Sequence, residues 1–416
     1  MNIKDSELIR LYGEDALDRQ KTRYKNAEES FVKEFGAQDG VRVFSAPGRT
    51  EVSGNHTDHN NGKVLAAAVN LDIIAFAVPT DDGIITVKSE GYPIFTVDTK
   101  ELEAKAEEKD STPALVRGVA AGFAKNNLKI GGFKAYMTSD VMKGSGVSSS
   151  AAFEVLVASI LSGLYNDNTV SAVKAAQISQ FAENEYFGKP SGLLDQMAAS
   201  VGGFVYIDFK KTQYPIIVPI EFNITDYGYN LCIVDTKGSH ADLTPEYAAI
   251  PAEMKAVAAA LGKAVLREAD EGEFFARMGE LRKTCGDRAV LRAAHFFDEN
   301  KRVEAAAEAL KTGDMDSFLA AIRASGNSSY KFLQNVYANK APNEQGVAMG
   351  LYTAERVLGN KGASRVHGGG FAGTIQAFVP NELLSEFIYA QDAIFGEGSC
   401  HKLFIRPVGG TEMGLE

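Results

Sequence analysis

The stretch that most restricts what this chain can become is Lys143-Gly-Ser-Gly-Val-Ser-Ser-Ser-Ala-Ala-Phe-Glu154. Ahead of it, Phe133 to Asp140 reads as a strand, with Ala135, Met137 and Val141 alternating; behind it, Ala151 to Leu164 is a good helix former. Strand, glycine-serine loop and helix together make an anion site. Glycines let the backbone approach, the unpaired amides of the first helical turn point at the ligand, and the helix dipole favours negative charge. A single serine here would be an ordinary N-cap. Three serines behind Gly-x-Gly ask for more, and the loop reads as a triphosphate cradle whose hydroxyls are also candidate Mg²⁺ ligands.

Neither common nucleotide fingerprint is present. No Gly-x4-Gly-Lys-Ser/Thr occurs, and Gly144-Ser-Gly146 lacks the third glycine of a dinucleotide loop. One Gly-x-Gly-x-x-Gly does occur, at Gly368-Gly-Gly370-Phe-Ala-Gly373. It runs into Thr374–Val379, which alternates like a strand where a dinucleotide site needs a helix. That argues against a Rossmann site.

A chain of 416 residues exceeds one small core, and two domains are expected, 1–209 and 210–416, divided at the polar turn near Lys210–Tyr214. Net charge is −11 with no basic run, which argues against nucleic acid as a partner and means that bound ATP needs local cations or a metal. Cys232, Cys285 and Cys400 are few, odd in number and far apart, as free thiols of a reducing compartment are. The acid-bearing N-terminus does not read as a signal peptide, and no apolar run approaches a bilayer span. These features predict a cytoplasmic location, no membrane partner, and leave oligomeric state open.

Apolar spacing predicts two helices within 5–36, strands at 41–44, 64–78, 84–87 and 94–97, and a helix over 112–127. After the central loop come helices near 151–165 and 171–186 and a strand at 203–208. The second half reads as a strand at 231–235, a helix-rich middle over 246–358, strands near 364–367 and 374–378, a helix at 381–395 and a last strand at 401–406.

Several polar residues suggest chemistry. Arg49 follows a Pro-Gly turn that would hold it near a strand end. His56, Asp58 and His59 lie within one short polar stretch, Gly54 to Lys63, which suits a polyol-binding loop, a zinc site or a hydrated turn. Asp195 opens a predicted helix, where an acid simply complements the dipole unless a cation and a phosphate site lie beside it. Glu183 is either a helix-surface acid or a metal ligand.

Three ordered stretches resemble the motifs of the GHMP kinases: Pro47-Gly-Arg…Gly-Asn-His-Thr-Asp-His-Asn-Asn-Gly62, Gly144-Ser-Gly-Val-Ser-Ser-Ser-Ala-Ala152 and His367-Gly-Gly-Gly-Phe-Ala-Gly373. The first, with Gly188-Lys-Pro-Ser-Gly-Leu-Leu-Asp-Gln196, is similar to the galactokinase branch. The resemblance implies an α+β, two-domain GHMP kinase fold, with a ribosomal-protein-like core in the N-terminal α/β domain and a ferredoxin-like C-terminal domain. It further implies Arg49 and Asp195 as the catalytic pair and His56, Asp58, Asn55 and Tyr247 as sugar-binding residues. Gly144, Ser145, Gly146, Val147, Ser148, Ser149 and Ser150 match the ATP-binding loop, and Ser149 or Ser150 with Glu183 the Mg²⁺ site. Gly368–Gly370 match the cleft-shaping third motif.

Three positions depart from the family pattern, which usually has Asn where Glu51 stands, Glu where Asn55 stands and Tyr where His59 stands. They touch sugar recognition more than phosphate chemistry. The expected activity is ATP- and Mg²⁺-dependent phosphorylation of galactose at its anomeric hydroxyl. A sibling kinase for another hexose, an amino sugar or a uronic acid is the alternative. A non-catalytic galactose sensor is disfavoured by the presence of Ser148-Ser-Ser-Ala-Ala152 and Asp195.

Overall fold

The computed structural model describes residues 3–141, 147–189, 191–238 and 243–415. Its strands are β1 Arg42–Ser53, β2 Lys63–Thr80, β3 Ile84–Ser89, β4 Phe95–Asp98, β5 Gly132–Ser139, β6 Phe204–Asp208, β7 Ile216–Ile220, β8 Tyr229–Asp235, β9 Ala363–Val366, β10 Thr374–Pro380, β11 Cys400–Leu403 and β12 Thr411–Glu412. The first sheet has the order β12-β1-β2-β5-β3-β4, with β6 on the other half of β2 and β7 beyond it. β3 runs parallel to β5. The second sheet, β11-β8-β10-β9, is antiparallel throughout.

β2 organises the first sheet because apolar residues on both of its faces are buried, as in a strand covered on both sides. Its Ile73–Thr80 half pairs with β5 and its Lys63–Ala67 half with β6. The helix Ser149–Asn166 covers one face, burying Phe153, Leu156, Val157, Ile160 and Leu161 against Phe44, Ile85, Phe133 and Met137. Each such side chain contributes roughly 1.5–3 kcal/mol. The start of that helix, where the phosphate motif lies, is thereby fixed against the sheet.

Two expectations shift. The turn at 210–215 joins β6 to β7 within the first sheet, so the expected boundary at 209/210 falls inside one sheet. The strand expected at 41–44 continues to Ser53 through register shifts at Pro47/Arg49 and Glu51/Ser53. The two sheets also share a core. Val52, Leu65 and Phe204 meet Leu231, Ile233 and Phe378 across the helices Asp287–Thr312 and Met315–Ser328, through Val303, Leu310 and Phe318. No helix among the described residues is long and apolar enough to cross a membrane.

A buried charge cluster ties both ends of the described chain to this sheet. Asp72 in β2 accepts from Arg23 (2.6 Å), Arg406 (2.9 Å), Tyr12 (2.5 Å) and Ser45. Burial alone would raise its pKa; the two guanidinium groups outweigh that and hold it below the usual carboxylate range. Breaking such a cluster strands charge in the interior. Asp72→Asn should therefore destabilise the fold by roughly 3–5 kcal/mol, read as a lower urea midpoint; an unchanged midpoint would show that the cluster carries no net stability.

Candidate active site

Arg49 sits inside β1, where the strand passes the end of the phosphate motif. Its N–H donates to Val147 O at 3.0 Å. A Cβ on Gly48 would lie 2.6 Å from that same carbonyl, so only glycine permits the approach. This contact keeps the strand going where the sequence suggested a turn.

The Arg49 side chain donates through Nε to Asp195 Oδ1 at 2.6 Å. Asp195 lies in the first turn of the helix Leu194–Val201. Its second oxygen, Oδ2, accepts from the Ser148 hydroxyl at 2.5 Å. Ser148 precedes the helix at φ 60° and makes no capping bond with its side chain. The N-cap explanation of this serine therefore fails: its hydroxyl serves Asp195. Burial would raise the Asp195 pKa, but the charge and hydrogen bond of Arg49, with the bond from Ser148, hold it below the usual range. About 32% of the Asp195 side-chain surface stays open against 10% for Arg49, so the carboxylate, not the guanidinium, faces the cleft.

Ser149 opens the helix with no protein partner among the described residues, and the Ser150 hydroxyl donates to Glu183 Oε1 at 3.2 Å. Glu183 lies in a π-helical turn, Ala182–Phe187, where an unbroken helix to 186 was expected. Such wider turns recur at functional sites because they re-aim side chains. The buried Glu183 also accepts from Lys189 (2.9 Å), Ser191 (2.6 Å) and Gln196 (2.7 Å). Gln196 reaches Glu154 as well, at 3.1 Å. Burial and the neighbouring Glu183 charge push the Glu154 carboxyl well up, which favours its protonated form. Gly144, Ser145 and Gly146, the expected centre of the ATP-binding loop, lie outside the described residues.

The polar loop after β1 meets the glycine triplet of the third motif. His56 donates through Nε2 to Gly369 O at 3.0 Å, and Tyr247 through its hydroxyl to Gly370 O at 3.0 Å. Asp58 packs against the loop that leads to Asp195: a Cβ on Gly192 would lie 2.4 Å from Asp58 Oδ2. His56, Asp58 and Tyr247 are thus gathered as expected. Among the described residues no cluster of three His, Cys, Asp or Glu side chains could hold a metal, which leaves the zinc reading of His56, Asp58 and His59 without support.

Asn55 is the correction. Its amide is fully buried and saturated within the protein. Nδ2 donates to Glu51 Oε1 (2.8 Å) and Gly368 O (2.7 Å). Oδ1 accepts from Asn335 (2.7 Å) and Ser329 (3.3 Å). An amide offers two donors and two lone pairs, so nothing remains for a sugar. Glu51 faces inward as well, paired with the buried Arg365 at 3.2 Å. The departure read as altered sugar contact is an internal exchange of carboxylate and amide between positions 51 and 55.

Sequence reasoning missed Asn335, Arg365, His295 and Glu299, which lie outside the recognised motifs, and gave no role to Gln196, which closes one of them. Glu299 braces the start of the polar loop Gly54–Lys63, accepting from Ser53 (3.1 Å), the Gly54 N–H (3.0 Å) and Arg302 (2.7 Å). Burial would raise its pKa, but His295, Arg302 and Arg365 bring it down to about 2.

A galactokinase galactose-binding signature matches residues 29–79, and the GHMP kinases N terminal domain matches residues 114–203. The chain is 32% identical to a galactokinase of Glaesserella parasuis over 364 residues, covering 86% of this chain and 89% of that one. This chain belongs to the galactokinase family. It is also 29% identical to the galactokinase of Lactococcus lactis, over 93% of this chain and 96% of that one. The crystal structure of Lactococcus lactis galactokinase complexed with galactose superposes with a TM-score of 0.78 at 27% identity, covering 93% and 99% of the two chains. A mevalonate kinase of Methanococcus jannaschii shares the fold alone, at a TM-score of 0.62 and 14% identity. The α+β GHMP fold expected from the motifs is the one observed, and the chain is a sugar kinase of this family.

In this galactokinase-family protein, restoring Glu at position 55 alone would place a second carboxylate beside buried Glu51 and lose the Nδ2 donations to Glu51 Oε1 and Gly368 O. Asn55→Glu should lower the thermal midpoint by the equivalent of roughly 1–3 kcal/mol and weaken galactose use. A variant as stable and active as the parent would refute the buried role of Asn55.

Proposed function

We propose that this chain transfers the γ-phosphoryl group of ATP to the anomeric hydroxyl of galactose. One observation carries the reading: Asp195 lies between the start of the phosphate helix, through Ser148, and the sugar loop, through Arg49 and the close packing of Gly192 on Asp58. The galactose-binding signature over 29–79 and the galactose-bound relative support the choice of sugar.

Phosphoryl transfer through a loose transition state places little demand on a strong base; positioning and charge neutralisation supply most of the rate. That suits Asp195. Held low in pKa by Arg49, it is ionised at neutral pH, orients the anomeric O–H as an acceptor, and takes the proton late, as the bond to phosphorus forms. Arg49, directed at Asp195 from within β1, keeps that carboxylate charged and adds positive potential near the transferred group. Asp195→Asn keeps the volume and removes the charge. It should cut kcat by about 10²–10⁴-fold while sugar and ATP binding, followed by calorimetry, persist; a variant keeping a tenth or more of the parent kcat would refute the assignment.

Ser150 and Glu183, with Ser149 beside them, offer the hydroxyl and carboxylate oxygens that suit Mg²⁺, which takes only one or two protein ligands and fills the rest with phosphate and water. Bound there, Mg²⁺ would neutralise charge on the ATP phosphates. Lys189 now compensates Glu183 at 2.9 Å, which marks the carboxylate as a position that holds positive charge. Ser150→Ala and Glu183→Ala should each raise the Mg²⁺ concentration for half-maximal rate more than the galactose KM. Responses to Mg²⁺ equal to the parent in both would move the metal site elsewhere. The odd set of free thiols at Cys232, Cys285 and Cys400 supports a reducing, cytoplasmic setting.

A further inference from the structure

Three successive carbonyls of the glycine triplet each accept a hydrogen bond from a side chain of the polar loop after β1 or from Tyr247. Gly368 O takes Asn55 Nδ2 (2.7 Å), Gly369 O takes His56 Nε2 (3.0 Å), and Gly370 O takes the Tyr247 hydroxyl (3.0 Å). Glycine is needed for steric reasons: a Cβ at 369 would lie 2.6 Å from the Tyr247 ring, and one at 370 would lie 2.0 Å from Asn335 O. In this chain the third motif is an acceptor rail.

Asn335 holds that rail in place. Its Nδ2 donates both to Asn55 Oδ1 (2.7 Å) and to Gly369 O (3.2 Å), so one amide bridges the sugar loop and the middle glycine. Its own carbonyl accepts the Phe371 N–H just beyond the triplet, at 2.5 Å. The residue is fully buried and lies outside the three motifs quoted above.

A carbonyl can only accept. His56 must therefore carry its proton on Nε2, which leaves Nδ1 as a bare acceptor when the ring is neutral. Burial, reinforced by the nearby His59 ring at 5.9 Å, brings the His56 pKa down to about 4, so the ring is neutral at physiological pH. No described residue hydrogen-bonds to His56 Nδ1. We propose that Asn335 is a positioning residue for sugar recognition: by bridging Asn55 and Gly369 it fixes the glycine carbonyls, and through them His56 as an Nε2–H imidazole whose Nδ1 accepts a hydroxyl of the sugar. This rests on the sugar-kinase reading and adds to it the sense of one contact, a substrate hydroxyl that donates. A site built that way rejects analogues lacking the hydroxyl.

The test combines spectroscopy and kinetics on the full chain. In ¹⁵N-histidine-labelled parent protein, with the His56 signals assigned by their loss in His56→Gln, long-range ¹H–¹⁵N spectra at neutral pH should show the Nε2–H tautomer. Galactose should shift the Nδ1 resonance. Asn335→Ala should mix the tautomers and raise the galactose KM by about tenfold, the equivalent of one lost buried hydrogen bond, with kcat and the ATP KM changed less than about twofold. An Nδ1–H tautomer in the parent, or no galactose effect on that resonance, would overturn the proposal even if Asn335→Ala fails to fold. A folded Asn335→Ala with an unchanged galactose KM would overturn it too. Absence of galactose phosphorylation by the parent is a separate result that strikes the sugar-kinase reading itself.

Discussion

The carboxylate of Asp195 is the point on which three distant segments converge. β1 delivers Arg49 to one oxygen, Ser148 at the start of the helix Ser149–Asn166 reaches the other, and the helix Leu194–Val201 holds the acid between them. The Arg49 bond depends on β1 passing close to Val147, and that depends on Gly48 having no side chain. The geometry of the cleft is thus set by a backbone contact between two strand-loop segments. The charges then settle into positions already defined.

Electrostatics repeat one pattern through the interior. Asp72 is matched by Arg23 and Arg406, Glu51 by Arg365, Glu299 by Arg302, and Asp195 by Arg49. Each of these acids is buried or partly buried, and each partner is arginine, whose planar fork can meet a carboxylate with several directed bonds. For a protein of net charge −11 this keeps the interior close to neutral. Pairs of this kind add little net stability over apolar packing; their value is that a wrong arrangement leaves a charge unmatched.

Arg49, Asp195, His56, Asp58 and Tyr247, which the fold brings to one cleft, could be picked out beforehand because they stand in contiguous stretches whose residue types have few other uses. β2 was legible from its apolar run. What stayed hidden depends on facing and on distance. Whether Asn55 looks toward the cleft or away from it is a matter of side-chain direction, and sequence spacing alone does not report it. Asn335 reaches the site from just beyond a π-helical turn far along the chain, Ser329–Leu333, with no local signal. Ser148 reads as a cap, and only the nearness of Asp195 draws its hydroxyl away. The turn at 210–215 looked like a boundary because polar loops between strands of one sheet and linkers between domains share a composition.

The path of the chain has a kinetic meaning. After β7 it leaves the first sheet, builds the second, and returns: Ile405 bridges Val69, Arg406 enters the Asp72 cluster across 334 residues of sequence, and Gly410 N–H bonds to Ala199 O behind the helix of Asp195. Closing so long a loop costs little more entropy than closing a moderate one, but the contact forms late. During synthesis on the ribosome the first sheet therefore waits, with Asp72 short of one arginine, until residues 405–412 emerge. Phosphoryl transfer of the kind proposed would then appear only after that returning segment docks, so that a truncated translation product would bind its ligands poorly and be open to proteolysis.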